Sequence, residues 1–144
     1  MKTFYIKNYA KGELIIREGD LDNKAYIINK GYVEISKFNK SGKRLVITQI
    51  GPGQIFGEMC LFDNKPRSAT AIALTDTELK IIYKEHFLTL FKDIPQELKL
   101  IFVLLLGRLR KTTELASLLA ETIQEREVDC KKFEKSLNKV AYPS

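Results

Sequence analysis

Short apolar runs broken by turn residues fill the first part of the chain. ELIIR (13–17), AYIIN (25–29), YVEISKF (32–38), RLVITQI (44–50), RSATAIAL (67–74) and TELKIIY (77–83) each have the length of a strand. Between them stand EGDLDN, NKG, NKSGK, GPGQ and LTD, all rich in the residues that make turns. Val33 and Ile35 alternate with Glu34 and Ser36, the period of a strand with one face in the core. Residues 39–43 form a predicted hairpin tip, with Gly42 supplying a positive φ. Several strands at such spacing predict a sandwich or barrel over about residues 12–83.

One segment interrupts the strand pattern. After Gly51-Pro52-Gly53, residues 57–62 (GEMCLF) read as one helical turn, ended by Asp63-Asn64-Lys65-Pro66. Beyond Tyr83 the punctuation disappears, and from 96 to 142 there is only Gly107 and no proline. A short helix is predicted over 84–93, broken ahead of Pro95. A long helix follows, with Pro95 in its first turn and reaching at least Gln124. Leu98, Phe102, Leu105, Leu109, Thr112, Ala116, Leu119 and Ile123 step by four and three along it, a heptad seam. Ile101, Leu104, Leu115 and Leu118 make a second stripe beside it. One stripe is expected to cover the β-region and the other to meet a second copy of the chain; the plainer alternative is a single wide buried face. Residues 126–144 are expected to be a charged tail, and 121–139, with five acids, five bases and few apolar residues, a frayed or solvated helix end.

Composition narrows the possible functions. The 144 residues fit one domain and are 44% hydrophobic and 29% charged, a balance that suits a folded core. A net charge of +6 points to an anionic partner without naming it. Two cysteines, Cys60 and Cys130, make no disulfide framework and fit a reducing, cytoplasmic setting. The longest apolar run, 100–106, has seven residues, whereas a membrane span needs about 20. His86 is the sole histidine and has no cysteine partner nearby, so no metal site is expected; it is read as a surface residue. No serine–histidine or cysteine–histidine motif supports nucleophilic catalysis, and the protein is not expected to be an enzyme.

The candidate chemistry lies in GPGQIFGEMCLFDNKPRSATA (51–71). A helical turn opening at Gly57 points backbone N–H groups at an anion. Nine residues after Glu58, Arg67 offers a planar fork for a phosphate and lies near enough to offset the Glu58 charge. Its ordinary alternative is a strand-edge pairing with Asp63. Ser68 adds a hydroxyl, and Glu58 is suited to a ribose hydroxyl. Ala69, Ala71 and Ala73 either let a ligand approach or allow close sheet packing, and Cys60 reads as a small buried residue. One phosphate and one free ribose hydroxyl would satisfy the polar groups.

Phe56-Gly57-Glu58, Met59-Cys60-Leu61 and Pro66-Arg67-Ser68-Ala69 together resemble the phosphate-binding cassette of the cyclic nucleotide-binding domain family. That is the family of the catabolite activator protein and the protein kinase A regulatory subunit, and the nine-residue spacing is similar to the kinase type. KGELIIREGD, YIINKGYVEI and IGPGQ also resemble the family's β-roll turns, so the likeness runs from about Tyr9 to Leu119. It implies an α+β fold: an antiparallel, jelly-roll-like β-roll with a short phosphate-binding helix and a long C-terminal dimerisation helix, in one domain over 1–125. It implies that Glu58 takes the ribose 2′-hydroxyl and Arg67 the cyclic phosphate, helped by the backbone of Gly57 and Met59 and by Ser68. It also implies that Thr112 of one subunit and Thr113 of its partner reach the base. Thr112 has a plainer reading as the polar, register-setting layer of the seam.

The implied ligand is cyclic AMP, with cyclic GMP as the alternative, and no resident cofactor is expected. About 20 residues follow Ile123, too few for a helix-turn-helix reader, so direct DNA binding is not expected. The expectation is a homodimeric sensor that lacks its own effector domain and acts on a separate effector protein. A DNA-associated regulator of the catabolite activator type, or its ligand-binding fragment, is the alternative.

Overall fold

A computed structural model describes residues 4–141, and from Thr113 onward only some of the side chains. The chain forms β1 (Tyr5–Tyr9), β2 (Leu14–Ile16), β3 (Lys24–Lys30), β4 (Val33–Phe38), β5 (Arg44–Ile50) and β6 (Ile55–Phe56). A 3-10 turn over Glu58–Leu61, then β7 (Thr70–Ala73), β8 (Thr77–Tyr83), α1 (Lys84–Phe91) and α2 (Gln96–Ala141) complete it. The strands make two four-stranded antiparallel sheets, β1-β8-β3-β6 and β2-β7-β4-β5. This is the α+β roll with a short helical turn and a long final helix.

The core lies between the sheets. Tyr9, Tyr26, Ile28, Leu79 and Ile81 from one pack on Ile16, Val33, Ala71 and Ala73 from the other. A second cluster, Ala25, Cys60 and Leu61 with Phe62, Ile82 and Phe87, joins the 3-10 turn to β3, β8 and α1. At the β4–β5 hairpin, Asn39 Oδ1 accepts the backbone N–H groups of Ser41 and Lys43, and Gly42 stands at φ 81°.

Several expectations need correction. Strands begin ahead of residue 12, because β1 adds to the edge of β8 with Tyr5 and Ile6 exposed and only Tyr9 buried. An edge strand exposed on this scale leaves little alternation to read. The run 67–74 becomes strand only at Thr70. Arg67 is held out of the ladder by the 17–20 loop: its N–H donates to Asp20 O, 2.8 Å, and its carbonyl accepts from Gly19, 2.9 Å. β4 does not alternate between a buried and an open face: Val33 is buried, but so are Ser36 and Glu34, the latter paired with Arg44, and the register shifts between Ile35 and Ser36. His86 is half-buried, stacked on the Tyr5 ring at 5.8 Å.

Pro95 precedes α2; its carbonyl accepts the N–H groups of Leu98 and Lys99. α2 runs unbroken from Gln96 through the stretch read as a tail to Ala141. Neither apolar stripe packs on the β-region as a whole. Leu98, Phe102, Leu105 and Leu109 of the seam are exposed, and so are Ile101, Leu104 and Leu115 of the second stripe. The helix meets the roll locally, around Leu109, Arg110 and Thr112, and through Phe102 against Phe91 of α1. The side chains of Ala116 and Leu118 lie outside the described residues.

Candidate functional site

A cavity of about 390 Å³ opens between the β2-β7-β4-β5 sheet, the 3-10 turn and α2. That volume suits a small organic ligand. Most of its wall is apolar, from Ile16, Ile35, Ile47, Ile50 and Ala71. Gly57, Glu58, Met59, Arg67, Ser68 and Thr112 all line it. Six of the seven candidate residues therefore converge on one space; the side chain of the seventh, Thr113, lies outside the described residues.

Gly57 sets the geometry of the turn. Its φ of +69° is open to glycine, and a Cβ there would come within 2.6 Å of Arg67 Nη1. This close approach lets Nη1 donate to the Gly57 carbonyl at 2.9 Å. Nη2 donates to Asp22 Oδ2, 2.9 Å, and to the carbonyl of Lys24. The residue is only 7% exposed, and its Nε is buried without a partner. The charge of Arg67 is thus balanced by Asp22, not by Glu58 as expected and not by Asp63. The guanidinium turns towards the entry to β3, where Asp22 in the preceding loop and the Lys24 carbonyl at the strand's first residue both accept from Nη2. Asp63 instead pairs with Arg110 of α2, 2.8 Å. Glu58 carries no ion pair or hydrogen bond among the described residues, so its carboxylate is unspent.

Cys60 shares the Arg67 cradle. Its thiol donates to the Gly57 carbonyl, 3.1 Å, and the Lys24 carbonyl, 3.3 Å. Burial pushes the thiol's pKa above its ordinary value, and the nearby Arg67 charge opposes that only in part. The site holds a neutral sulfur beside a buried cation. Thr112, which lines the cavity, donates its Oγ1 hydroxyl to the Arg108 carbonyl one turn back, 3.0 Å. Among the described residues no cluster of three histidine, cysteine, aspartate or glutamate side chains is placed to hold a metal, and no helix is long and apolar enough to cross a membrane.

Sequence reasoning missed Asp22, Lys24, Ile47 and Arg110. Asp22 was visible only as turn chemistry, because its partner is 45 positions away. Arg110 follows a seam position and carried no signal of its own.

The chain matches the family model described as the cyclic nucleotide-binding domain over residues 6–93. It is 33% identical over 142 residues to the cyclic AMP receptor protein of Thermus thermophilus, covering 99% of this chain and 60% of that relative. The solved catabolite activator protein of Thermus thermophilus superposes with a TM-score of 0.66 at 33% identity, over 97% of this chain and 60% of that one. An EAL enzyme in its cAMP-bound form gives a TM-score of 0.67 at 35% identity, over 83% of this chain and 32% of the enzyme. The chain thus spans about 60% of its Thermus relative's length.

Proposed function

The chain belongs to the cyclic nucleotide-binding domain family, and from that premise we propose that it is a cytoplasmic sensor whose cavity takes cyclic AMP. One observation carries the reading. A buried arginine with an unpartnered Nε–H and an unpaired carboxylate, Arg67 and Glu58, line the same mostly apolar cavity. A cyclic phosphodiester supplies the acceptor for the first and a ribose hydroxyl the donor for the second, while the apolar wall suits a purine. Ser68 and the backbone of Gly57 and Met59 complete the phosphate side; Thr112, with Thr113 of a second copy, serves the base. Ser68 beside Arg67 favours cyclic AMP over cyclic GMP by family likeness.

The exposed seam on α2 supports a homodimer, which would bring Thr113 of the partner to the site. Ligand that binds one arrangement of turn and helix more tightly than another shifts the population between them. A separate effector protein then reads the altered dimer. Nothing in this scheme calls for catalysis.

Calorimetry with cyclic AMP, cyclic GMP and 5′-AMP tests the reading. Cyclic AMP is expected to bind, and Arg67→Ala to weaken it by about 1.5–3 kcal/mol or more, the worth of a hydrogen bond to a charged group. Glu58→Ala and removal of the ligand's 2′-hydroxyl should cost the same and not add, because each deletes one half of a single contact. No heat from either cyclic nucleotide at saturating concentration refutes it.

A second reading, a DNA-associated regulator, draws on the net charge of +6 and on relatives such as the cAMP-activated transcriptional regulator of Mycobacterium tuberculosis, 28% identical over 120 residues. Strong, salt-dependent gel shifts at physiological salt would favour it.

A further inference from the structure

We propose that Arg110 of α2 is a positioning residue for the ligand, acting through its ion pair with Asp63 as a clasp that holds the helix over the cavity. The inference rests on reading the cavity as a cyclic nucleotide site. Asp63 is the better-fixed partner. Its N–H donates to Met59 O, its Oδ1 accepts the Lys65 N–H, and its carbonyl accepts Lys84 Nζ at 2.9 Å. It also sits between Glu58 and Arg67 in sequence. A ligand that engages both of those residues acts on the segment that carries Asp63.

The other end of the clasp stands out on its helix. Most apolar side chains of α2 are exposed, yet the Arg110 side chain is only 16% exposed, with its Nη2 2.8 Å from Asp63 Oδ2. Leu109 and Thr112, within the same turn, line the cavity with it. Seating Arg110 on Asp63 therefore fixes which face of α2 looks into the site. Exposed ion pairs contribute little, but this one is partly enclosed and ties the segment after the 3-10 turn directly to the helix.

Titration and stopped-flow release of whichever cyclic nucleotide binds the wild type test the clasp. Arg110→Ala and Asp63→Ala should each weaken binding by about 5- to 150-fold, the usual range of coupling between linked sites. The loss should lie in faster release, because the clasp holds a bound ligand in. The double alanine variant should bind no worse than either single one, and Asp63→Lys with Arg110→Glu should restore most of the affinity. Arg110→Lys should keep part of it, and melting curves show whether each variant folds. Failed charge-swap rescue, additive single losses, or a loss for Arg110→Ala alone would overturn the clasp. If the wild type binds neither cyclic AMP nor cyclic GMP, the nucleotide reading fails and the clasp with it. If the wild type binds and only Arg67→Ala matters, the clasp fails alone.

Discussion

Arg67 spends three hydrogen bonds on the protein itself, and the most consequential goes to Asp22. A guanidinium so enclosed needs a counter-charge, and losing it costs about 3 kcal/mol when the remaining ion stays buried. Asp22→Asn is therefore expected to lower the melting temperature, and saturating cyclic nucleotide to recover most of the loss by supplying another anion. The ligand-induced rise in melting temperature, read by scanning fluorimetry, should be larger in Asp22→Asn than in the wild type. An equal or smaller rise would show that Asp22 does not compete with the phosphate. Gly57→Ala should cost about 1–3 kcal/mol, from the left-handed backbone and from displacing Arg67 Nη1. Denaturant midpoints measure the stability part, and calorimetry should show weaker ligand binding alongside it. Glu58, Arg67 and Gly57 were legible because they fall within eleven residues of one another. Asp22 was not, since residue types alone do not reveal which distant loop will lie beside a side chain.

At the level of elements, legibility followed length and burial. The six predicted runs gave six of the eight strands, because their apolar residues meet across two sheets. The two missed, β1 and β6, are an exposed edge and a two-residue strand, where packing contributes little pattern. The irregular turn at Glu58–Leu61 was visible through its glycine and its failure to alternate. The helix seam was also visible, but not what it packs against, because one chain carries no information about a second. The exposed Phe102 and Leu105 make that question testable. Phe102→Glu with Leu105→Glu should shift the protein from dimer to monomer in light scattering while the β-roll keeps its circular dichroism. A wild type that is already monomeric at micromolar concentration would remove the dimer from the proposal.

The whole molecule should respond to alkaline pH through two buried acids. Burial pushes both Tyr26 and Cys60 to higher pKa, with the Asp22 charge adding to the effect on Tyr26. Each holds its proton more firmly in the folded chain, so the unfolded chain releases protons first as pH rises. Stability should be level below about pH 8.5 and decline across the ordinary thiol and phenol range, up to about pH 10 and beyond. Urea midpoints at intervals from pH 7 to pH 10.5 (spacing of about half a unit) check this against the ordinary values. A Tyr26→Phe, Cys60→Ala variant should show the shallower decline; parallel curves would assign the loss to other groups.

The length of α2 has a mechanical consequence. From Arg110 to Ala141 the helix rises through 31 residue steps, or about 46 Å at 1.5 Å per step. Pivoting it by about 10° near Arg110 would sweep its far end through about 8 Å on that geometry. A sub-ångström adjustment where a sugar-phosphate sits would then arrive at the tip as a displacement wider than the helix backbone itself, with the rod serving as a lever arm.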